Sequence, residues 1–565
     1  MSRLEAPSPA HPASHPPPAA RGLSIGQYLI RRLQDYGIRD MFGVPGDYIL
    51  TFYGMVEHSP IRMINCTRED GAGFAADAYA RINGMGAVCT TYCVGGLSVC
   101  NSVAGAYAEK SPVVVISGSP GLEERVNNPL LHHKVRDFRT QAEVFEKLCI
   151  AVTELTDPVV ACREIDRVLD LAARYKRPVY IELPRDQVDV VPHISHAYHP
   201  SQTQQEPLVA DEAAEEAAGL LSKAQRPVII AGVEIHRFGL QDKLLAFAER
   251  HKLPIAATIL GKSVVPEKHP LYIGLYEGAM GHAEVTKFVE ESDCVMLLGA
   301  FMTDLNLGIF TANLDPARCI YVTSEQLRIR HHHYHHVPLE AFLDKLAARG
   351  MTIAQRDIPA ALRPQRPPFQ IEPSAPLKIR RIIDRLDEQI DDQTIVIADI
   401  GDALFAASEL TTHLRTEFIS PAYYTSMGFG VPASVGALSA RPKSRVLAIC
   451  GDGAFQMTGM ELSTIVRYGY SPIVIVLDNR GYGTERFLHH GQWAYNDINP
   501  WRYHKLPDIL GGGTGYEVRT EGEFDAAINR AWNDRSGFSL IQAHIPIGDA
   551  SDALRRLTER LSARV

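Results

Sequence analysis

Short, almost uninterrupted runs of β-branched and other apolar residues recur along this chain, and they constrain its fold more than any other feature. Six of these runs are strand-sized and alternate with amphipathic, helix-like segments: 112–117, 226–231, 294–298, 394–398, 445–449 and 472–477. A strand that is apolar on both faces needs cover on both faces, as in a parallel sheet between helices. The pattern predicts an α/β fold of doubly wound parallel sheets, one in each of three domains.

Two stretches interrupt this pattern and are rich in proline and polar residues, as linkers are. The first covers residues 191–208, and the second, 359–376, holds six prolines. They divide the chain into a tail and three predicted domains: 1–22, 23–190, 209–355 and 377–565. The tail carries six prolines and no apolar core, so we expect it to be disordered rather than a signal peptide.

Composition and charge exclude several classes of protein. The 565 residues are 45% hydrophobic and 22% charged, which is too apolar for a disordered chain. A net charge of −9 without long basic runs offers no surface for nucleic acid or anionic lipid, and we expect neither as a partner. No apolar stretch approaches the roughly 20 residues of a membrane-spanning helix. Nine scattered cysteines without a CxxC spacing favour a reducing cytoplasm.

Polar residues follow two neighbouring apolar runs in the last predicted domain. The run 445–449 leads into CGDGAF, and the run 472–477 leads into DNRG. Both loops therefore lie at strand carboxyl ends, where ligands of open α/β sheets bind. An aspartate, an asparagine amide oxygen and a glycine carbonyl are hard oxygen ligands suited to Mg²⁺, with two phosphates completing the octahedron. We predict Asp452, Asn479 and Gly481 as these ligands.

Three other motifs suggest different sites, and each fails on a residue or on its context. A dinucleotide-binding GxGxxG would need a third glycine where Gln456 stands. The segment LGKS at 260–263 resembles the end of a P-loop, but Ala256 replaces the required first glycine. The histidine run 330–336 has no flanking acidic or cysteine ligand, so we predict a structural or exposed segment there.

GDGAFQMTG followed by LDNRGYGTE resembles the cofactor motif of thiamine diphosphate enzymes. MFGVPGDY at 41–48 and CTREDGAGFAAD at 66–77 resemble the pyrimidine-binding domain of the 2-oxo acid decarboxylases, and the likeness extends from about Leu23 to the end. The resemblance implies a pyrimidine-binding domain, a largely architectural middle domain and a diphosphate-binding domain. It also implies thiamine diphosphate and Mg²⁺ as cofactors, and conversion of a 2-oxo acid to an aldehyde and CO₂.

The resemblance assigns proton chemistry to five residues. Glu69 would hydrogen-bond a ring nitrogen of the aminopyrimidine and favour its imino form, which needs a carboxyl group in a dry pocket. Otherwise Glu69 is only an acid at a helix N-terminus. The adjacent His132 and His133, with Asp47 and Glu485, would relay protons during carboxylate loss and aldehyde release.

The same resemblance implies residues that seat the cofactor. Met427 corresponds to an apolar wedge that bends the cofactor, and the carbonyl of Thr425 would hold its amine. The other expected cofactor contacts are Gly401, Asp402, Gly453 and Ala454.

Thr484 indicates the size of the substrate. Pyruvate-specific relatives generally carry isoleucine there, so threonine predicts a larger pocket for an aromatic or branched-chain 2-oxo acid such as phenylpyruvate, indolepyruvate or 2-oxoisovalerate. Ile400 and Leu404 lie on the facing loop, and Leu488 lies one helical turn past Thr484.

Three alternatives stay open at this point. The first is a pyruvate decarboxylase, and the second is a carboligase or acetohydroxyacid synthase, against which the pair His132–His133 argues. The third is a non-catalytic metal-binding protein that uses the histidine run. In relatives the Glu69 and Asp452 halves come from different chains, so the resemblance implies a homodimer or homotetramer with intersubunit active sites.

Overall fold

The computed structural model describes residues 22–200, 207–362, 367–414 and 416–561. The predicted disordered tail lies outside the described residues, apart from Gly22. Three mostly parallel sheets with flanking helices make up the fold, which confirms the predicted α/β class.

The first sheet has six parallel strands in the order β2-β1-β3-β4-β6-β5. Its strands are β1 (Asp40–Gly43), β2 (Arg62–Asn65), β3 (Gly86–Thr90), β4 (Val113–Ser119), β5 (Ala151–Glu154) and β6 (Val179–Pro184). Its helices are α1 (Ile25–Asp35), α2 (Leu50–Glu57), α3 (Glu69–Asn83), α4 (Val94–Ser98), α5 (Cys100–Ala108), α6 (Thr140–Leu148) and α7 (Ala161–Tyr175). Every residue of β3, β4 and β6 is buried, as expected of central strands that are apolar on both faces.

The second sheet has seven strands in the order β13-β12-β11-β10-β7-β8-β9. Its strands are β7 (Pro227–Ala231), β8 (Ile255–Ala257), β9 (Tyr272–Leu275), β10 (Cys294–Leu298), β11 (Cys319–Val322), β12 (Leu327–Ile329) and β13 (His332–Tyr334). Its helices are α8 (Pro207–Lys223), α9 (Val233–Arg237), α10 (Gln241–His251), α11 (Ala283–Glu290) and α12 (Leu339–Ala347).

This sheet differs from the prediction at one edge. Strand β12 runs antiparallel to both of its neighbours, β11 and β13, because short turns join the three strands, so the second sheet is mixed rather than wholly parallel. The histidine run forms that edge: His332 and His333 are exposed, and Nδ1 of His332 lies 2.9 Å from a carboxylate oxygen of Glu216.

The third sheet has six parallel strands in the order β15-β14-β16-β17-β19-β18. Its strands are β14 (Thr394–Ala398), β15 (Glu417–Ile419), β16 (Arg445–Gly451), β17 (Ile473–Asp478), β18 (Thr514–Val518) and β19 (Ser539–His544). The helices of this region are α13 (Ile379–Asp387), α14 (Asp402–Ala407), α15 (Gly430–Ala440), α16 (Asp452–Thr458), α17 (Leu462–Arg467), α18 (Gly483–Leu488), α19 (Leu506–Leu510), α20 (Glu521–Asn533) and α21 (Asp552–Leu561).

The chain packs into two compact units. The first consists of the described residues before Gln202 together with Tyr424–Lys443 and Gln456–Tyr470, and it holds the first sheet. The second holds the other two sheets. Within the first unit α15 packs on α3, where the rings of Phe74 and Phe429 meet edge to face at 5.9 Å. Two segments that follow strands of the third sheet in sequence therefore belong to the unit of the first sheet.

Candidate active site

The first unit collects four of the five predicted proton-handling residues at one edge of its sheet, and Glu485 belongs to the second unit. Asp47 follows β1, Glu69 follows β2, and His132 and His133 follow β4. All three strands are parallel, so their carboxyl ends lie at the same edge.

Asp47, His132 and His133 come together there, with one side-chain ligand atom of each within 4.8 Å of the others. Nε2 of His132 lies 2.8 Å from Oδ2 of Asp47. The His132 ring stacks on Tyr48 at 4.7 Å and meets the His133 ring edge to face at 4.8 Å. Tyr48, which sequence reasoning missed, is 1% exposed, and its ring contacts both histidine rings. Its only signal in the sequence is its position directly after Asp47.

The cluster is open to solvent in the single chain. The side chains of Asp47 and His132 are 43% and 58% exposed. Nδ1 of His133 is instead buried, and it finds no hydrogen-bond partner within the part of the chain that the structure describes. The arrangement can pass a proton between a carboxylate and two imidazoles.

Glu69 is the first residue of α3 and is half-buried. Its carboxyl group faces α4, where a Cβ on Gly95 would lie 3.4 Å from Oε1 of Glu69. The position fits the predicted pyrimidine contact, and it also fits an acid at a helix N-terminus.

The second unit holds the predicted metal ligands at the carboxyl ends of β16 and β17. Asp452 is 1% exposed. Its carboxylate accepts hydrogen bonds from the N–H of Gly453 at 2.8 Å and from the N–H of Gly481 at 3.1 Å. Burial, reinforced by the nearby Asp478, raises the pKa of Asp452 to about 7. A cation in this loop would relieve the unfavourable burial of that charge.

Two side-chain oxygens at the carboxyl end of β17 are buried and unpaired among the described residues. Oδ1 of Asn479 is buried and accepts no hydrogen bond from any described residue, and the same holds for Oδ1 of Asp478. Buried acceptors are rarely left unpaired, and a bound cation would satisfy these two oxygens. The donor set consists of hard oxygens and fits Mg²⁺.

Arg486 holds the loop after β17, and sequence reasoning missed it. Its guanidinium donates to the carbonyls of Asn479 at 3.0 Å and Arg480 at 2.8 Å, and it pairs with Asp497 at 2.8 Å. Only its adjacency to Glu485 in the sequence could have indicated this role.

Three further predicted residues belong to the second unit: Asp402, Ala454 and Glu485. Ala454 is buried beside Gly453 at the start of α16, whereas Glu485 on α18 is exposed. Asp402 accepts hydrogen bonds from the N–H and hydroxyl of Ser551, and burial raises its pKa to about 6. Its carboxyl group is thus engaged in a contact that the sequence did not indicate.

Thr484 faces the loop after β14. A Cβ on Gly401 would lie 3.5 Å from the Thr484 hydroxyl oxygen. Ile400 and Leu488 are half-buried, but Leu404 has no exposed surface, so its side chain lies behind the pocket wall rather than on it.

Thr425 and Met427 belong to the first compact unit. Thr425 is exposed with a left-handed φ of 59°, and Met427 is half-buried. Between them, Ser426 accepts a hydrogen bond from Asn101 at 2.7 Å, which anchors the segment within that unit.

Comparison with known proteins decides the family. The chain is 37% identical over 545 residues to an indole-3-pyruvate decarboxylase of Azospirillum brasilense, covering 95% of this chain and 98% of the relative. It belongs to the thiamine diphosphate-dependent 2-oxo acid decarboxylases. An alpha-keto-acid decarboxylase of Mycolicibacterium paratuberculosis is 34% identical over 93% of this decarboxylase and 94% of the relative. Pyruvate decarboxylase isozyme 1 of Saccharomyces cerevisiae is 32% identical over 94% and 97%.

Family models agree with this assignment for each domain of the decarboxylase. The N-terminal TPP binding domain of thiamine pyrophosphate enzymes matches residues 23–141, the central domain matches 214–349, and the C-terminal TPP binding domain matches 399–543. These findings confirm the predicted family, a carboxy-lyase that uses thiamine diphosphate and acts on a small 2-oxo acid. Among the described residues, no helix combines the length and hydropathy needed to cross a membrane.

Proposed function

We propose that this decarboxylase converts aromatic or branched-chain 2-oxo acids to aldehydes and CO₂, with thiamine diphosphate anchored through Mg²⁺. The observation that carries the metal assignment is the buried, unpaired amide oxygen of Asn479 in the loop that donates to the buried Asp452. Asp452, Asn479 and the carbonyl of Gly481 would hold the ion, and Gly401, Gly453 and Ala454 would lie against the diphosphate.

Thiamine diphosphate, when bound, supplies the nucleophilic carbon and the electron sink for decarboxylation. Glu69 holds a proton at the pyrimidine ring from its half-buried position at the start of α3. Asp47 fixes the His132 imidazole through their 2.8 Å contact, and His133 and Glu485 complete the proton relay to substrate and product. Met427 and the Thr425 carbonyl orient the cofactor.

A second copy of the chain would complete the site, in a homodimer or homotetramer. Proton transfer is most effective where water is excluded, yet Asp47 and His132 are 43% and 58% exposed in one chain, and Glu485 is exposed as well. Cover by a partner that brings the Asp452 half would account for this exposure.

The proposed substrate class rests on Thr484. A threonine between the loop of Gly401 and the half-buried Leu488 leaves more room than the isoleucine of pyruvate-specific relatives. The Azospirillum brasilense relative is an indole-3-pyruvate decarboxylase, which agrees with a large substrate. We also propose the reducing cytoplasm as the compartment, since all nine cysteines are free thiols.

The test measures kcat/KM for phenylpyruvate, indolepyruvate, 2-oxoisovalerate and pyruvate, with the product identified as aldehyde or acyloin. We expect aldehyde, and a preference of about 10- to 200-fold for at least one of the larger acids. Preference for pyruvate over all three would contradict the substrate proposal. Acyloin as the main product would favour a carboligase, and Mg²⁺-independent binding of thiamine diphosphate in calorimetry would contradict the metal site.

A further inference from the structure

A buried carboxylate outside the proposed catalytic set lies at the start of α3. Glu461 is 2% exposed and directly precedes α17. It accepts hydrogen bonds from the backbone N–H of Thr67 at 2.7 Å and of Arg68 at 3.2 Å, and also from the Thr67 hydroxyl. These are the two residues immediately before Glu69.

The Glu461 carboxylate takes the place of the side chain that ordinarily caps the N-terminus of a helix. Arg68 is the N-cap residue of α3, and it makes no side-chain capping hydrogen bond. The first turn is also close to Glu461, because a Cβ on Gly71 would lie only 2.8 Å from Oε1 of that residue. Glycine at position 71 therefore permits the approach of the carboxylate to the helix start.

The second carboxylate oxygen of Glu461 is also hydrogen-bonded. Oε2 of Glu461 accepts a hydrogen bond from the Thr464 hydroxyl at 2.8 Å, on the first turn of α17. All of these residues lie in the first compact unit. Glu461 thus ties the start of α3 to α17, with both carboxylate oxygens used.

We infer that Glu461 is a positioning residue for Glu69: its carboxylate fixes residues 67 and 68, and therefore the place of the Glu69 carboxyl group. This inference rests on the proposed role of Glu69 in proton transfer at the cofactor. A displacement of about 1 Å in a catalytic group can cost about 100-fold in rate, so the anchor is required even though it never touches the cofactor.

The experiment measures hydrogen–deuterium exchange at C2 of thiamine diphosphate bound to the holoenzyme, and amide exchange of residues 64–72 in the cofactor-free protein. We expect Glu461→Ala to lower C2 exchange about 10- to 100-fold and to speed exchange of the Thr67 and Arg68 amides. Glu461→Gln keeps an acceptor oxygen within reach and should retain most of the rate. Glu461→Asp withdraws the carboxylate by one methylene and should fall between the two.

A double-mutant cycle separates positioning from general damage. If Glu461 acts through Glu69, Glu461→Ala adds almost no further loss in a Glu69→Gln background. The control Glu234→Ala removes another buried carboxylate, which accepts from the N–H of Ser324 at 2.7 Å in the second unit, and should leave C2 exchange unchanged.

Three results would overturn the inference: equal losses in both backgrounds, the same loss from Glu234→Ala, or C2 exchange in Glu461→Asp as fast as in Glu461→Gln. The last comparison decides the matter if Glu461→Ala does not fold. Normal C2 exchange in Glu69→Gln alone would instead remove Glu69 from the mechanism, and the inference with it.

Discussion

The Asp452 and Asp47 halves of the proposed site contrast in burial and in hydrogen bonding. Asp452 and Asn479 are at most 9% exposed, and their loop is held by backbone donors and by Arg486. The side chains of Asp47 and His132 are 43% and 58% exposed, and they contact each other as well as Tyr48, His133 and Arg185. On the proposed function, the first half would bind the cation and the diphosphate, whereas the second would relay protons once a partner chain covers it. Binding and proton transfer thus impose different local structures in one protein.

The largest effect should be a loss of cofactor affinity, caused by a substitution in the Asp452 half. Asp452→Ala removes the charged ligand, and we expect thiamine diphosphate with Mg²⁺ to bind at least about 100-fold more weakly in calorimetry. Removal of Mg²⁺ from wild type by a chelator should give the same loss, reversibly. The exposed Asp392→Ala is the control. Unchanged affinity in Asp452→Ala would contradict the metal assignment. It would also remove the proposed contrast between the Asp452 and Asp47 halves.

Glu69→Gln should separate chemistry from binding. The amide cannot deliver the proton, so kcat should fall about 100- to 10,000-fold, while cofactor affinity stays that of wild type because Asp452 and Asn479 are untouched. Steady-state kinetics and calorimetry on the same preparation measure both quantities. Exposed Glu57→Gln serves as the control, and near wild-type turnover of Glu69→Gln would exclude Glu69 from proton transfer.

Variants of Arg486 test whether cation binding by the Asp452 half depends on the hydrogen bonds that hold its loop. Arg486→Met frees the carbonyls of Asn479 and Arg480, and we expect Mg²⁺ affinity to fall about 10- to 100-fold, as for other outer partners of metal ligands. Arg486→Lys should recover little, because an ammonium lacks the planar fork. The matched control is the exposed Arg530→Met. Equal affinities in all three variants would contradict the support role.

The smallest effect should be a change in substrate preference, caused by a substitution at Thr484 in the proposed substrate pocket. Thr484→Ile should shift the ratio of kcat/KM about ten-fold toward pyruvate, because it fills space beside the loop of Gly401. The change should lie in the ratio and leave cofactor binding intact. If Thr484→Ile leaves the ratio of kcat/KM values unchanged, residues other than Thr484 determine the preferred substrate size.

The fold could be predicted largely from buried strands. The runs 294–298 and 394–398 match β10 and β14, because a strand apolar on both faces contrasts sharply with its flanks. The β12–β13 hairpin was missed, since its exposed histidines carry no apolar alternation. Membership of Tyr424–Lys443 in the first unit depends on packing between α3 and α15, which are distant in sequence.

The site was predictable where ligand chemistry requires particular residue types. Asp452 and Asn479 were predicted as metal ligands because both follow apolar strands, and the structure puts their loops in contact through the N–H of Gly481. Tyr48, Arg486 and Glu461 were not found. They act by stacking or by bonding to backbone groups, and neither contact leaves a spacing in the sequence.

The most direct test of the account asks whether the two halves come from different chains. Glu69→Gln and Asp452→Ala chains, each inactive alone, are mixed under subunit-exchange conditions, and decarboxylation is measured. A mixed dimer contains one site with both native residues, so a random equal mixture should recover about a quarter of wild-type activity. No recovery, in a mixture where mixed dimers are detected by mass, would contradict an intersubunit site and return both halves to a single chain.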